Sequence, residues 1–260
     1  MIEFKNFSAG YTDHFVIQNI NCRLVSGKIY ALIGPNAAGK TTLLRSLIGD
    51  IPRSGGEITI DGQNIKLFSA RDLAKKVSYA PPEINPAFNY SVSEFVTMGR
   101  FAVNRAFWET DEDIEEAANA LITMDLADVA DKAVAELSSG QKQSCLLAQI
   151  IAKNTDIILL DEPAAHLDIK HRADFFRKIL SLKKNADKSI IITFHDLNDA
   201  INAADSFMLL KEGRLTACKE KDGITGGMLS ELYGTEVLIS EFPDGRKAVL
   251  PRFARAENTI

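Results

Sequence analysis

The segment Gly34-Pro35-Asn36-Ala37-Ala38-Gly39-Lys40-Thr41 matches G-x-x-x-x-G-K-[ST], and with its flanks it limits the fold more than any other stretch. It follows Ile29 to Ile33, a short apolar run that predicts a buried strand. Thr41 to Ile48 predicts the helix behind it, with Leu43, Leu44, Leu47 and Ile48 on one face and Gly49 as a stop. Glycines let the backbone curl until successive N–H groups point at phosphate oxygens, and the helix N-terminus adds partial positive charge. In such a loop Lys40 bridges β- and γ-phosphates and Thr41 places its hydroxyl on Mg²⁺. The bare pattern arises by chance in about one chain of this length in a hundred. A strand before it and a helix after it lower that further.

Two more short runs, Ile157 to Leu160 and Ile190 to Phe194, are apolar or β-branched almost throughout, as expected of strands covered on both faces. The first ends in Asp161-Glu162 and the second in His195-Asp196. Ligands of an open α/β sheet lie at the carboxyl ends of its strands. Asp161 is therefore predicted to hold Mg²⁺, directly or through water, and Glu162 to orient or deprotonate an attacking water. Acids are common in turns after strands, so this pair takes its meaning from the phosphate loop upstream. A single histidine is more often structural. At a third strand end beside a nucleotide, His195 can donate to the transferring phosphoryl group.

The stretch from about 84 to 154 is helix-rich. Thr110 is a good N-cap with acids behind it, and Ile114, Ala117, Ala118, Leu121 and Ile122 form a stripe expected to face a core. Leu137-Ser138-Ser139-Gly140-Gln141 opens a helical run to about Ile151, a second place for an anion. Small polar residues often cap helices, so its position between the phosphate loop and the carboxylate pair singles it out. Glu57 to Asp61 alternates between Gly56 and Gly62 and predicts an antiparallel edge region. The last forty residues carry weak strand and turn signals such as Phe242-Pro243-Asp244-Gly245.

Composition removes other classes. The 260 residues are 46% apolar and 25% charged, ordinary for a soluble globular chain, and the net charge of -5 disfavours a strongly basic nucleic-acid binder. No apolar stretch approaches the roughly 18 residues of a spanning helix. The start, Met1 to Lys5, shows no basic region leading into an apolar core, so no signal peptide is expected. Cys22, Cys145 and Cys218 are isolated and odd in number, which suggests a reducing cytosol and no zinc or redox pair.

Taken together, these motifs resemble the ATP-binding cassette family, the ATPase subunits of ABC transporters, over essentially the whole chain. Tyr11 resembles the aromatic residue that stacks on adenine. Gly34, Pro35, Asn36, Ala37, Ala38, Gly39, Lys40, Thr41 and Thr42 resemble the Walker A loop. Leu137, Ser138, Ser139, Gly140 and Gln141 resemble the signature, and Leu159 to Glu162 resembles Walker B with its catalytic glutamate. Ala165 to Asp168 is similar to the D-loop, and His195 to the switch histidine. The resemblance implies a single ABC ATPase domain over 1–260 with an α/β P-loop NTPase core. That core would take 1–83 and 155–221, with an antiparallel β region. An inserted helical subdomain would take 84–154, and a C-terminal extension packed on the core 222–260. It implies ATP and Mg²⁺, with Thr41 and Asp161 on the metal and Glu162, His195 and Lys40 as catalytic residues. It also implies a head-to-tail homodimer with two ATPs at the interface, where Ser138 and Gly140 of one copy reach the γ-phosphate held by the other and Asp168 lies close by.

A narrower resemblance lies in Asn89 to Arg100, His195 to Ala200 and Leu232-Tyr233-Gly234, which are similar to importer ATPases for iron–siderophores, haem and cobalamin. Zinc and manganese importer ATPases are similar too. This implies multi-span permease partners, an indirect link to a substrate-binding protein, no nucleic acid, and a peripheral place on the cytoplasmic face of the membrane. The alternative is a soluble ABC ATPase serving another assembly, such as iron–sulfur cluster building.

Three departures from the family pattern stand out. Pro82 occupies the Q-loop glutamine position in Val77-Ser78-Tyr79-Ala80-Pro81-Pro82-Glu83. It offers no side-chain donor or acceptor and stiffens a hinge, so slower or differently coupled hydrolysis is expected, with ATP binding kept. Ser139 replaces the first signature glycine, and its backbone N–H survives. Gln149 stands where many members carry arginine, a change expected to touch stability. Among Phe88, Tyr90, Phe95, Phe101, Phe107 and Trp108, most are expected in the insertion's core, with one or two exposed where the family docks a permease's coupling helix.

Overall fold

Each strand of the central sheet divides its side chains between two apolar layers, and that division sets the architecture. The computed structural model describes residues 1–11, 14–84, 86–104, 108–165, 167–186 and 188–252. In chain order the elements are β1 (Ile2–Tyr11), β2 (His14–Leu24), β3 (Ile29–Ile33), α1 (Lys40–Leu47), β4 (Arg53–Ile60), β5 (Gln63–Asn64), α2 (Ala70–Lys76) and β6 (Val77–Ala80). Then come α3 (Val92–Thr97), α4 (Asp111–Thr123), α5 (Ser139–Lys153), β7 (Ile157–Leu160), α6 (Ile169–Ala186), β8 (Ser189–Thr193) and α7 (Leu197–Ala203). The chain closes with β9 (Ser206–Lys211), β10 (Arg214–Glu220), α8 (Gly226–Tyr233), β11 (Val237–Glu241) and β12 (Lys247–Pro251).

The main sheet has the order β10-β9-β3-β8-β7-β6, parallel throughout except for β10. Ile29, Ala31 and Ile33 of β3 face one layer together with Ile158, Leu160, Ile190 and Ile192. That layer also holds Phe175 and Ile179 of α6, Ala200 of α7 and Leu229 of α8. Tyr30 and Leu32 face the other way, with Leu159 and Ile191, onto α1 and a second sheet. This second sheet is antiparallel, of order β2-β1-β4-β5. The alternation at 57–61 is thus antiparallel strand, but β4 lies inside the sheet, between β1 and the two-residue β5, rather than at its edge. Period-two alternation marks a half-buried strand and carries no information about its neighbours.

Between β6 and β7 the chain runs through α3, α4 and α5. Ser91, Thr110 and Ser138 each cap a helix in a reciprocal box with the acid or amide three residues on. The face of α4 differs from the expected stripe. Asp113, Ala117, Ala120 and Leu121 are buried, while Ile114 and Ile122 are 54% and 64% exposed. The cause is Arg100, buried after α3, which donates to Asp113 at 2.9 Å and to the Ala152 carbonyl at 3.1 Å. A charged residue therefore occupies the inner face, and a count of apolar positions places that face one residue off. The aromatics differ as well. Phe88, Phe101 and Trp108 are 70%, 73% and 79% exposed, and Tyr90 and Phe95 are half-buried. Phe107 lies outside the described residues. Gln149, the position expected to lack an ion pair, donates to the Phe95 carbonyl at 2.7 Å and so fastens α3 to α5.

After α8 the hairpin β11–β12 lies against α7, where Asn198 accepts from the Val249 amide at 2.8 Å and Asn202 donates to the Lys247 carbonyl at 2.9 Å. No helix among the described residues is long and apolar enough to cross a membrane.

Candidate functional site

The phosphate loop joins β3 to α1 and is fixed by backbone contact. A Cβ on Gly34 would lie 2.0 Å from the Leu210 carbonyl oxygen of β9, so only glycine fits there. Gly39 has φ 101° and lies under Ile17 of β2, which its Cβ would meet at 2.6 Å. Ala37 takes the left-handed conformation too, with φ 61°. The Ala38 amide donates to Pro35, and Gly213 donates to the Ala38 carbonyl at 3.1 Å. Asn36, Ala37 and Thr41 are exposed, while Ala38, Lys40 and Thr42 are buried. The Lys40 ammonium donates to the carbonyls of Gly34 at 2.9 Å and Pro35 at 3.2 Å. Burial pulls its pKa below the ordinary lysine value, and the charges of Glu162 and Asp161 oppose that pull. The first turn of α1 carries no acid, so its dipole is left for an anion.

β8 lies between β3 and β7, so the ends of the three strands are neighbours. Asp161, directly after β7, is buried and oriented from both sides. Thr193 of β8 donates to one carboxylate oxygen at 2.7 Å, and Tyr79 of β6 donates to the other at 3.3 Å. The Glu162 amide in turn donates to Thr193 Oγ1 at 2.7 Å, and Glu162 is held at φ 47°. His195, one residue past Phe194, is exposed. A cavity of about 90 Å³ lies here, lined by Glu162, Ala164, Arg172, Thr193, His195 and Asp199. Arg172 bridges Asp196 at 3.1 Å and Asp199 at 3.5 Å. Burial, in part offset by Arg172, pushes the Asp199 carboxyl up to about 6.

The fold thus brings Lys40, Asp161, Glu162 and His195 to one edge of the sheet. Thr41 and Asp161 are hard oxygen donors, the type Mg²⁺ prefers. Among the described residues no cluster of three or more His, Cys, Asp or Glu forms a metal cage. Mg²⁺ in nucleotide sites takes one or two protein oxygens and completes its shell with phosphates and water, so this donor set fits.

Other sequence candidates lie elsewhere. Ser138 caps α5, and Ser138, Ser139 and Gly140 are at least partly exposed at its start. Within the chain Gly140 faces His171, whose ring carbon would lie 3.3 Å from an added Cβ. Asp168 accepts from the His171 amide at 2.8 Å, which holds its carboxyl below the usual range. No hydrogen bond among the described residues joins 137–141 to 34–42. His166 lies outside the described residues. Tyr11 is half-buried at the end of β1, opposite His14. Pro82 is exposed, and its carbonyl accepts from buried Gln143 of α5 at 2.7 Å.

Sequence reasoning passes over Thr193, Tyr79 and Gln143. Only Thr193 leaves a trace, as the sole hydroxyl within the apolar run 190–194.

Comparison with known proteins agrees with this geometry. The sequence profile described as ABC transporter matches residues 17–165. The petrobactin import ATP-binding protein YclP of Bacillus subtilis (strain 168) is 35% identical over 252 residues, 96% of this chain and 99% of that protein. The ferric enterobactin transport ATP-binding protein FepC of Escherichia coli (strain K12) is 30% identical over 259 residues, 98% of this chain and 95% of that protein. Among solved structures, an inward-facing ABC transporter described as of metal-chelate type superposes with a TM-score of 0.84 at 25% identity, covering 97% of this chain and 98% of that one. By profile, relatives and fold alike, the chain belongs to the ABC transporter family, as one of its ATP-binding, ATP-hydrolysing subunits.

Proposed function

We propose that the chain powers import of an iron chelate (a siderophore or haem complex) or cobalamin through a multi-span permease. The observation that carries this is the meeting of Lys40, Asp161 and Glu162 at adjacent strand ends, in a chain similar along nearly its whole length to siderophore import ATPases. The loop amides of 34–42 and Lys40 bind the phosphates, and Tyr11 stacks on the base. Thr41 and Asp161 would hold Mg²⁺, which would supply charge neutralisation to the transferring phosphoryl group. Glu162 orients a water and takes its proton as the water attacks the γ-phosphorus, while the bond from that phosphorus to the β–γ bridging oxygen breaks and ADP leaves. His195 donates to the γ-phosphoryl oxygens.

The signature residues 138–141, of which Ser138 and Ser139 are exposed and Gly140 and Gln141 half-buried, support a second step of the same reading. Their amides and the start of α5 form an anion-binding end that a second copy of the chain, arranged head to tail, presents to the nucleotide. Asp168 lies beside that contact. Residues 84–154 then act as a helical subdomain on a core of 1–83 and 155–221, with 222–260 as an extension. Exposed Phe88, Phe101 and Trp108 face the permease and hold the subunit at the cytoplasmic face of the membrane.

Purification of the chain from detergent-solubilised membranes of its source cells, followed by mass spectrometry, tests this reading. A multi-span permease, with its substrate-binding protein, is expected as the main partner. Soluble partners alone would overturn the import assignment and leave the ATP chemistry standing.

A further inference from the structure

The fold sets two cysteines face to face that lie 196 residues apart in sequence. Cys22 is on β2, an edge strand of the antiparallel sheet, and Cys218 is on β10, an edge strand of the main sheet. Their Sγ atoms are 2.9 Å apart, the Cys22 thiol donating to the Cys218 sulfur. The two edges are already joined four residues before Cys22 and five before Cys218, where the Gln18 amide donates to the Gly213 carbonyl at 2.8 Å. Both cysteines are only half-buried. The third, Cys145, is fully buried in the helical layer, and burial pushes its thiol up to about 12. The linear spacing, which shows no cysteine pair, hides this arrangement.

We propose that Cys22 and Cys218 form a redox-responsive dithiol, a modification site that takes up a disulfide bond by exchange with a low-molecular-weight disulfide such as glutathione disulfide. The bond clamps the two sheet edges together. Cys218 is the first nucleophile, since the donated hydrogen bond from Cys22 lowers its pKa. Its thiolate attacks one sulfur of the reagent, the reagent's S–S bond breaks, and one small thiolate leaves. Cys22 then gives up its proton to solvent, attacks the mixed disulfide at the Cys218 sulfur and expels the second small thiolate. The protein loses two hydrogens, and one reagent disulfide becomes two thiols.

The clamp would sit beside the nucleotide loop. β2 covers Gly39 through Ile17, and Gly213, one residue before β10, donates to the loop at Ala38. A cross-link spanning this much chain constrains the unfolded state strongly.

The test uses the reduced full-length chain, exposed to glutathione disulfide, alkylated and mapped by peptide mass spectrometry. A cross-linked Cys22–Cys218 peptide, with Cys145 alkylated and the bond reversed by dithiothreitol, is the expected result. Cys22→Ser should instead retain one glutathione on Cys218. On oxidation the thermal midpoint of the wild-type chain should rise on the order of 5 °C. Separate glutathione adducts on both residues of the wild type, or three thiols still titratable, would overturn the dithiol. An unmoved midpoint in the cross-linked chain would overturn the clamp.

Discussion

Asp199 shows how one side chain carries a cost set by its surroundings. Its carboxyl is pushed up to about 6 by burial, with Arg172 compensating in part. Between the ordinary carboxylate value and about 6 the folded chain binds more protons than the unfolded one, so stability falls as pH rises through that window. Asp199→Asn should therefore stabilise the fold at pH 7.5 by about 1 kcal/mol, after allowance for solvent screening, and the gain should shrink as pH falls from 6 toward 4. Urea denaturation at both ends of that window measures it. Pro82 invites a second substitution. Gln143 binds its carbonyl, so Pro82→Gln leaves that hydrogen bond in place while restoring an amide side chain. The ATPase rate of this variant should rise, and an unchanged rate in a phosphate-release assay would overturn the expectation that Pro82 slows hydrolysis. Loop residues 34–42 are legible in sequence because they act together as one contiguous segment. Thr193, Tyr79 and Gln143 are not, because each gains its partner only when distant strands pair.

Strands and helices were readable to different degrees, for physical reasons. The buried strands β3, β7 and β8 announce themselves, since a strand covered on both faces is apolar or β-branched almost throughout. The inner face of α4 does not, because the buried group is an acid. Arg100 and Asp113 are 7% and 2% exposed, and together they tie the segment after α3 to α4 and to the end of α5. Removing Asp113 leaves the buried Arg100 with the Ala152 carbonyl and the exposed Glu112, whose carboxylate is 3.4 Å away. Asp113→Ala should cost about 3–5 kcal/mol, read by chemical denaturation, and should loosen α3 and α4 first in hydrogen exchange. Ile114 and Ile122, left outside by this arrangement, tolerate polar replacement.

At the scale of the whole molecule, a single copy holds the phosphate loop and the carboxylates, but no hydrogen bond among the described residues joins its residues 137–141 to that loop. Assembly is therefore part of the chemistry under the proposed reading. Glu162→Gln should keep ATP binding, lose about a hundredfold or more in hydrolysis, and accumulate as an ATP-dependent dimer in light scattering. A monomer under saturating ATP would count against the head-to-tail arrangement. The helical segment is fastened to the main sheet through β6. Lys153 of α5 donates to Val77 at 3.0 Å where this strand begins, and Gln143 binds Pro82 just beyond its end. Among the described residues β6 pairs with a strand on one side only, and it is four residues long. Under the proposed reading, part of any torque that a permease exerts on α5 passes through the short β6–β7 ladder. That force path passes Tyr79, whose hydroxyl holds Asp161 at 3.3 Å. Under the proposed reading the strand is both tether and strain gauge, since a load at the membrane side reaches the Asp161 carboxylate through it.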